Sequence, residues 1–309
     1  MNKLRSLVFF LLLSAGVFLI YILCIEKTKT PLHSSFAPVF QLIGKSTSSI
    51  DRALAKVIPI NEMDEKDYGN AVAMHYQRQN DSIDKNFIYL NHIIKNLSKF
   101  SKKPFIYRVF IVQYDVPNAF ALPGGVICVT KGLLQTMKTE AEIVSVLSHE
   151  MGHIERGHCF DAIKYELLFK KIQSRTLGQV ADFAVNLFIR HSFSKTQEND
   201  ADEYGYDLVV QTQYDPSEFG AAFTELYKFE TNSMKIKQNK NADPIRDYFM
   251  SHPPLPLRIE KFSEKARIWW DNNKNAKRYV GKTNLQNKVC FYEVKYVAEW
   301  TNYLLQKNL

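Results

Sequence analysis

Cysteine is scarce in this chain, and its four copies are not spaced as a structural zinc site requires. Cys24, Cys128, Cys159 and Cys290 lie far apart in the sequence. This spacing excludes a zinc knuckle. Cys24 falls in an apolar N-terminal run, and the remaining three are odd in number. We therefore expect no complete disulfide framework, although a single bridge stays open.

Acidic residues are fewer than basic residues. The chain has 40 Lys and Arg against 32 Asp and Glu, a net charge of +8. The excess of basic residues lies after Asn232, and it either forms a solvated surface or contacts anionic lipid or an acidic partner.

No internal repeat occurs, and no compact basic and aromatic motif points to a nucleic acid partner. A hydrophobic content of 46% with 13% aromatic residues favours a packed globular protein over disorder.

One long apolar run is present, at the N-terminus. Ser6 to Ile25 carry no charge, and as a helix they span about 30 Å, the thickness of a bilayer core. A cleavable signal peptide is the alternative, but the apolar run continues beyond its small-residue site at Ser14 to Gly16. We expect residues 1–25 to form a single-pass transmembrane anchor and residues 26–60 to form a linker. The main domain is then periplasmic or otherwise extracytoplasmic.

Residues His149 to His153 read HEMGH, which matches the HExxH pattern of zinc hydrolases. On a helix, His149 and His153 lie one turn apart on one face and can bind one metal ion. Glu150 is then placed to reach a metal-bound water. Thr139 and Glu142 form a capping box that predicts the start of this helix. A buried helix whose histidines and glutamate bond to neighbouring side chains is the alternative.

Two histidines do not complete a catalytic zinc site, which takes three protein ligands and leaves one position for water. His158 comes five residues after His153, whereas a metzincin needs six, so we expect His158 to serve packing or solvent contact. Glu198 and Asp202 lie one turn apart on a later predicted helix. Glu198 can bind the metal, and Asp202 can accept a hydrogen bond from the outer nitrogen of a ligand histidine. A solvated acidic helix face is the alternative, although Gly205 on the same face favours close packing against another backbone.

The patterns around these motifs predict an α+β fold that is mainly α, with a small β-sheet. Helical spacing or caps indicate helices, and aromatic and β-branched runs indicate strands. The predicted helices are 61–79, 83–100, 139–154, 167–189, 197–211 and one starting near 215; the predicted strands are 105–114 and 126–130; residues 234–243 are predicted to be a loop.

Four blocks, in this order, make the chain resemble the minigluzincin family of membrane-associated zinc endopeptidases. They are Asn118–Gly125, HEMGH, Glu198–Gly205, and Ser251–Pro254 with Arg258 and Ile259. The resemblance implies a zincin-like metallopeptidase domain, which we place at residues 61–262. Residues 263–309, a basic C-terminal extension with Trp269 and Trp270, match no family that we can name and can dock on the domain, on a partner or on the membrane.

The resemblance implies one zinc ion per chain, bound by His149, His153 and Glu198, with Glu150 as the catalytic base. It also implies hydrolysis of peptide bonds in protein or peptide substrates, by a membrane-anchored endopeptidase of envelope protein quality control. A membrane-tethered chaperone or adaptor that binds unfolded chains with little cleavage is the alternative. The sequence makes no prediction about oligomeric state.

Further site residues are implied by the same resemblance. Asp202 resembles an aspartate that supports a ligand histidine, and Arg258 either orients the site or pairs with an acid. His252 resembles a histidine that binds the metal at rest or steadies the oxyanion, and a turn histidine before two prolines is the alternative. The residues implied for substrate binding form one stretch of an edge strand: Asn118, Ala119, Phe120 and Ala121.

Overall fold

The computed structural model of the chain describes residues 62–77, 84–163, 193–236 and 255–306. Within these ranges no helix is both long enough and apolar enough to cross a bilayer. The expected anchor, the linker, the helix predicted at 167–189 and His252 lie outside the described residues. So does most of the loop predicted at 234–243, of which the first three residues instead continue a helix.

The described residues form a mainly helical α+β fold with two small sheets. The elements are named in chain order. The helices are α1 (Glu62–Gln77), α2 (Lys85–Leu97), α3 (Lys131–Thr136), α4 (Glu140–Glu155), α5 (Lys195–Gln211), α6 (Ser217–Ile236), α7 (Leu255–Asn272), α8 (Lys282–Asn287) and α9 (Tyr303–Gln306). The strands are β1 (Arg108–Val112), β2 (Ala119–Leu122), β3 (Val126–Thr130), β4 (Lys277–Tyr279) and β5 (Trp300–Asn302). Short 3₁₀ turns occupy Ser98–Phe100 and Val297–Glu299.

The first sheet has the strand order β1-β3-β2, so β2 lies at its edge. Strand β1 runs parallel to β3, and β2 runs antiparallel to it. Gly124 and Gly125 turn the chain between β2 and β3 with φ values of +78° and +91°, which favour glycine. A Cβ on Gly124 would lie 2.6 Å from the Cα of Gly69 in α1, so this helix packs directly on the turn. The predicted edge strand is thus present, and the turn that follows it packs against α1.

Helix α4 is the centre of the fold. The capping box of Thr139 and Glu142 starts it, as predicted, and every residue from Glu140 to Ile154 is buried. Its apolar side chains contact β2, β3, α5 and α6, which explains why this helix has no solvated face. A helix buried all round can carry polar side chains only where those side chains have partners.

Helices α4 and α5 approach closely because each contributes a glycine to the contact. A Cβ on Gly152 would lie 2.6 Å from the carbonyl oxygen of Ala201, and a Cβ on Gly205 would lie 2.9 Å from the amide nitrogen of His149. The close packing predicted from Gly205 is therefore confirmed. This contact brings the HEMGH segment against the helix that carries Glu198.

The C-terminal segment packs on the domain. Helix α7 runs through residue 262 without a break, and the chain that follows returns to the N-terminus of α4. There the amides of Glu140 and Ala141 donate to the carbonyls of Gly281 and Val280, at 3.1 and 3.0 Å. The described residues thus belong to one compact unit, Ile60–Leu309. The last of the described helices, α9, is a single turn.

Candidate metal centre

Three buried side chains from α4 and α5 bring their donor atoms together. The Nε2 atoms of His149 and His153 are 3.2 Å apart. The carboxylate oxygens of Glu198 lie 3.7 Å from the Nε2 of His149 and 3.4 Å from the Nε2 of His153. Donors at about 2.0–2.1 Å from a tetrahedral zinc ion lie about 3.3–3.4 Å from one another, so these spacings fit one zinc-sized ion. The structure thus groups the three side chains predicted as ligands.

Glu198 reaches this position because α5 begins just before it. Ser194 caps the helix, and its hydroxyl and the side chain of Gln197 form a capping box. The helix therefore starts at Lys195, two residues earlier than predicted. Glu198 then falls in the first turn, where the helix dipole stabilises a negative charge.

The outer nitrogen of His149 is held by a buried ion pair. Nδ1 of His149 lies 2.9 Å from Oδ1 of Asp202 and donates its proton there, which leaves the lone pair of Nε2 for a metal. Arg258 donates to both oxygens of Asp202, at 2.9 Å from Nε and 2.7 Å from Nη2. Burial alone would raise the pKa of Asp202, but the charge of Arg258 and the hydrogen bond from His149 outweigh it and hold that pKa below its usual value.

Arg258 does more than pair with one acid. Its Nη1 lies 3.5 Å from Oε2 of Glu198, and its guanidinium lies 3.9 Å from the ring centre of Phe223. One side chain thus contacts Glu198 and Asp202 of α5 and the wall formed by α6. Both functions weighed for Arg258 from the sequence, orienting the site and pairing with an acid, match these contacts.

His158 is packed inside the protein, which is one of the two functions expected of it. It is buried, with 7% of its surface exposed, and its Nδ1 lies 3.1 Å from Nδ1 of His153. Gly157 follows the C-cap of α4 with φ +76°, a turn after which the ring of His158 lies beside that of His153. The structure thus favours packing over solvent contact, a choice that spacing alone could not make because it gives no information about a turn after the helix. Burial lowers the pKa of His158 to about 4 and keeps its ring neutral.

A cleft opens beside His149 and Glu150. Its other walls come from the edge strand and three helices. The lining residues are Ala119, Val146, His149, Glu150, Phe223, Leu226 and Arg258. Of the residues predicted to bind substrate, the structure places Ala119 in this lining, whereas Asn118, Phe120 and Ala121 are buried next to it along the chain. A mostly apolar cleft with one carboxylate and a candidate metal triad is an arrangement suited to hydrolysis.

Fold and site together define a class: an HExxH helix whose third candidate ligand is a glutamate on a later helix, α5, beside a small sheet with β2 as an edge strand. The chain belongs to Peptidase family M48, whose profile matches residues 85–266. Residues 267–309 lie beyond that match.

Several named proteins resemble the chain. Mitochondrial metalloendopeptidase OMA1 of Arabidopsis thaliana is 32% identical over 151 residues, which cover 48% of this chain and 29% of that protein. Metalloprotease LoiP of Escherichia coli is 32% identical over 142 residues, covering 41% of this chain and 54% of LoiP. A putative beta-barrel assembly-enhancing protease of Vibrio cholerae is 23% identical over 283 residues, covering 80% of this chain and 55% of that protein. The chain thus spans little more than half of these relatives at most.

Proposed function

We propose that this chain is a zinc-dependent metalloendopeptidase with a zincin-like domain. One observation carries the proposal: in a member of a peptidase family, the donor atoms of His149, His153 and Glu198 converge at zinc-like spacing next to Glu150. Neither a solvated acidic face nor a purely structural helix needs that convergence, because two neutral ring nitrogens and a carboxylate gain little from facing one another without a cation.

Each residue of the site has its own role in the proposed reaction. His149, His153 and Glu198 would hold a zinc ion, which would supply a Lewis acid able to lower the pKa of water towards about 7 and to polarise a carbonyl group. Glu150 takes the proton of the attacking water and delivers it to the leaving amine. Asp202 and Arg258 hold the ring of His149 so that its Nε2 keeps facing the site.

The cleft and the edge strand would hold the substrate. A peptide that adds to β2 as an extended strand bonds through its main chain, so that the buried side chains of β2 need not touch it. Val146, Phe223 and Leu226 line the cleft beside Glu150. An apolar substrate side chain next to the scissile bond would fit these walls better than a charged one, because the walls supply contact area but few hydrogen-bonding groups.

The cellular setting belongs to the same proposal. The uncharged run at residues 6–25 supports a membrane anchor with the catalytic domain on the extracytoplasmic side. One relative is called a putative beta-barrel assembly-enhancing protease, and that name supports a role in envelope protein quality control.

The test compares the full chain with Glu150→Gln and a surface control, Glu264→Gln, in detergent. We expect all three proteins to contain one zinc per chain, and the wild type and the control to digest casein. Glu150→Gln should lose at least about 100-fold of the activity, as expected when a general base is removed. Casein digestion by Glu150→Gln at the wild-type rate would contradict the proposal.

The same variant decides between enzyme and chaperone. A tethered chaperone would bind unfolded chains without needing a carboxylate in the cleft. If Glu150→Gln restores full function to a strain that lacks the protein, binding is the activity that matters. The location of Glu150 in the lining of the cleft favours the enzyme.

A further inference from the structure

The outer nitrogen of His153 faces a second histidine, and no part of the function derived above uses it. Nδ1 of His153 lies 3.1 Å from Nδ1 of His158, and both rings are buried. We propose that His158 is a positioning residue that accepts the Nδ1 proton of His153 and so fixes the tautomer and ring orientation with which His153 binds the metal. This inference rests on the proposed function.

The proton assignment follows from which nitrogen faces the other ligands. Nε2 of His153 lies 3.2 Å from Nε2 of His149 and 3.4 Å from Glu198, so Nε2 is the coordinating atom and needs its lone pair. The ring proton of neutral His153 must then sit on Nδ1. At 3.1 Å, His158 can accept it only through its own Nδ1 lone pair, so the proton of His158 sits on Nε2.

The net charge of the metal site explains why a neutral side chain suits position 158. When ionised, Glu150, Glu198 and Asp202 carry three negative charges, and Arg258 carries one positive charge, which leaves −2. A divalent ion balances that sum. A carboxylate at residue 158 would orient His153 equally well but would add a charge that nothing in this balance neutralises. An imidazole orients the ring without changing the total.

The surroundings hold both rings in place. Phe193, just before α5, stacks on His153 with 4.0 Å between ring centres and lies 6.1 Å from the ring of His158. Gly157 turns the chain with φ +76° to bring His158 back. The two rings are thus fixed from one side by packing and from the other by the backbone, as expected for a site organised before the ion arrives.

Two near-isosteric variants separate the hydrogen bond from packing. His158→Asn keeps an acceptor where Nδ1 stood, whereas His158→Leu fills a similar volume with no acceptor. The measurement is zinc affinity of the full chain by competition with a chromophoric chelator. Loss of an outer hydrogen-bond partner typically weakens metal binding roughly 10- to 100-fold, so we expect that loss for Leu and near wild-type affinity for Asn. His92→Leu, at a half-buried histidine of α2 that contacts Glu293, serves as the matched control.

Each result decides a different point. Wild-type affinity in His158→Leu overturns the inference and leaves the proposed function intact. Equal loss in the Leu and Asn variants, with unchanged thermal unfolding after zinc removal, shows that ring shape matters and also overturns it. A wild-type chain that binds no zinc removes the proposed function itself.

A measurement on the wild type needs no variant to fold. Nitrogen chemical shifts of labelled histidines in the zinc-loaded chain report which ring nitrogen carries the proton. We expect His153 to be protonated at Nδ1 and His158 at Nε2. A proton on Nδ1 of His158 would contradict the inference.

Discussion

Glu140, the first residue of the helix that carries HEMGH, is a carboxylic acid with no exposed surface. Its Oε1 accepts hydrogen bonds from the amide of Phe291 at 2.8 Å and the hydroxyl of Tyr214 at 2.5 Å. Burial raises the pKa of Glu140 from 4.5 to about 7, and the two hydrogen bonds offset only part of that rise. The residue therefore makes the stability of the fold depend on pH.

The direction of this pH dependence follows from the difference between the pKa of Glu140 in the folded and the unfolded chain. The folded state holds the Glu140 proton more tightly than the unfolded chain, so this contribution to stability is complete below about pH 4.5 and is lost as the pH rises through about 7. It amounts to at most about 3 kcal/mol. Glu140→Gln keeps a neutral side chain, so its free energy of unfolding should exceed that of the wild type at pH 8 but not at pH 4.5. Urea unfolding of the chelated chain at both pH values measures the difference, and equal pH dependence in both proteins would refute the assignment.

Among single residues, the sequence predicted the contacts between residues that lie within about one helical turn of each other. His149 and His153 are four residues apart on one helix, and Thr139 and Glu142 three apart, so helical geometry alone fixes them. For His158, spacing left packing and solvent contact open, because its position depends on the turn at Gly157 and its contact depends on where the chain lies after that turn. Spacing along a sequence carries no information of that kind.

At the scale of elements, the site depends on how closely α4 approaches α5. Gly152 lies inside the HEMGH segment, and a Cβ there would lie 2.6 Å from the carbonyl oxygen of Ala201 and 2.9 Å from its Cα. Both are backbone atoms that cannot rotate away. The glycine therefore sets the distance between the two histidines and Glu198.

Gly152→Ala should force these two helices apart. We expect a loss of about 1–3 kcal/mol in the free energy of unfolding, typical of an overpacked core. We also expect weaker zinc binding, since the carboxylate of Glu198 moves with α5. Asp207→Ala, at an exposed residue of α5, is the control. Unfolding and chelator competition test both variants, and unchanged zinc affinity in Gly152→Ala would show that the helices adapt.

The elements themselves were partly predictable. The capping box gave the start of α4, and the Pro-Gly-Gly turn gave the break between β2 and β3. Helix α5 starts two residues before its predicted start because Ser194 and Gln197 form a capping box, whose spacing is present in the sequence. The three-residue strands β4 and β5 escaped prediction, since so short a run carries no periodic signal.

For the whole molecule, the segment after α7 connects the far ends of both ligand-bearing helices. Arg278 donates to the carbonyls of Val210 and Thr212 at the C-terminus of α5. Gly281 and Val280 accept from the first amides of α4. The segment lies beyond the family match, yet it satisfies backbone groups at both helix ends that would otherwise lack partners. Long-range contacts of this kind could not be predicted from a single sequence.

Removing this segment should therefore unfold the domain, even though the family match ends before it. A chain ending at Asn272 loses Tyr279 and Phe291, which are fully buried, and leaves Glu140 without the amide of Phe291. Deleting a buried aromatic side chain typically costs about 3–5 kcal/mol, and a domain has only about 5–15 kcal/mol in total. We expect the truncated chain to lose cooperative thermal unfolding and zinc binding together, whereas a chain ending at Gln306 keeps both. A cooperative, zinc-binding chain that ends at Asn272 would show instead that the site is complete without its C-terminal segment and that the bonds at the two helix ends are dispensable.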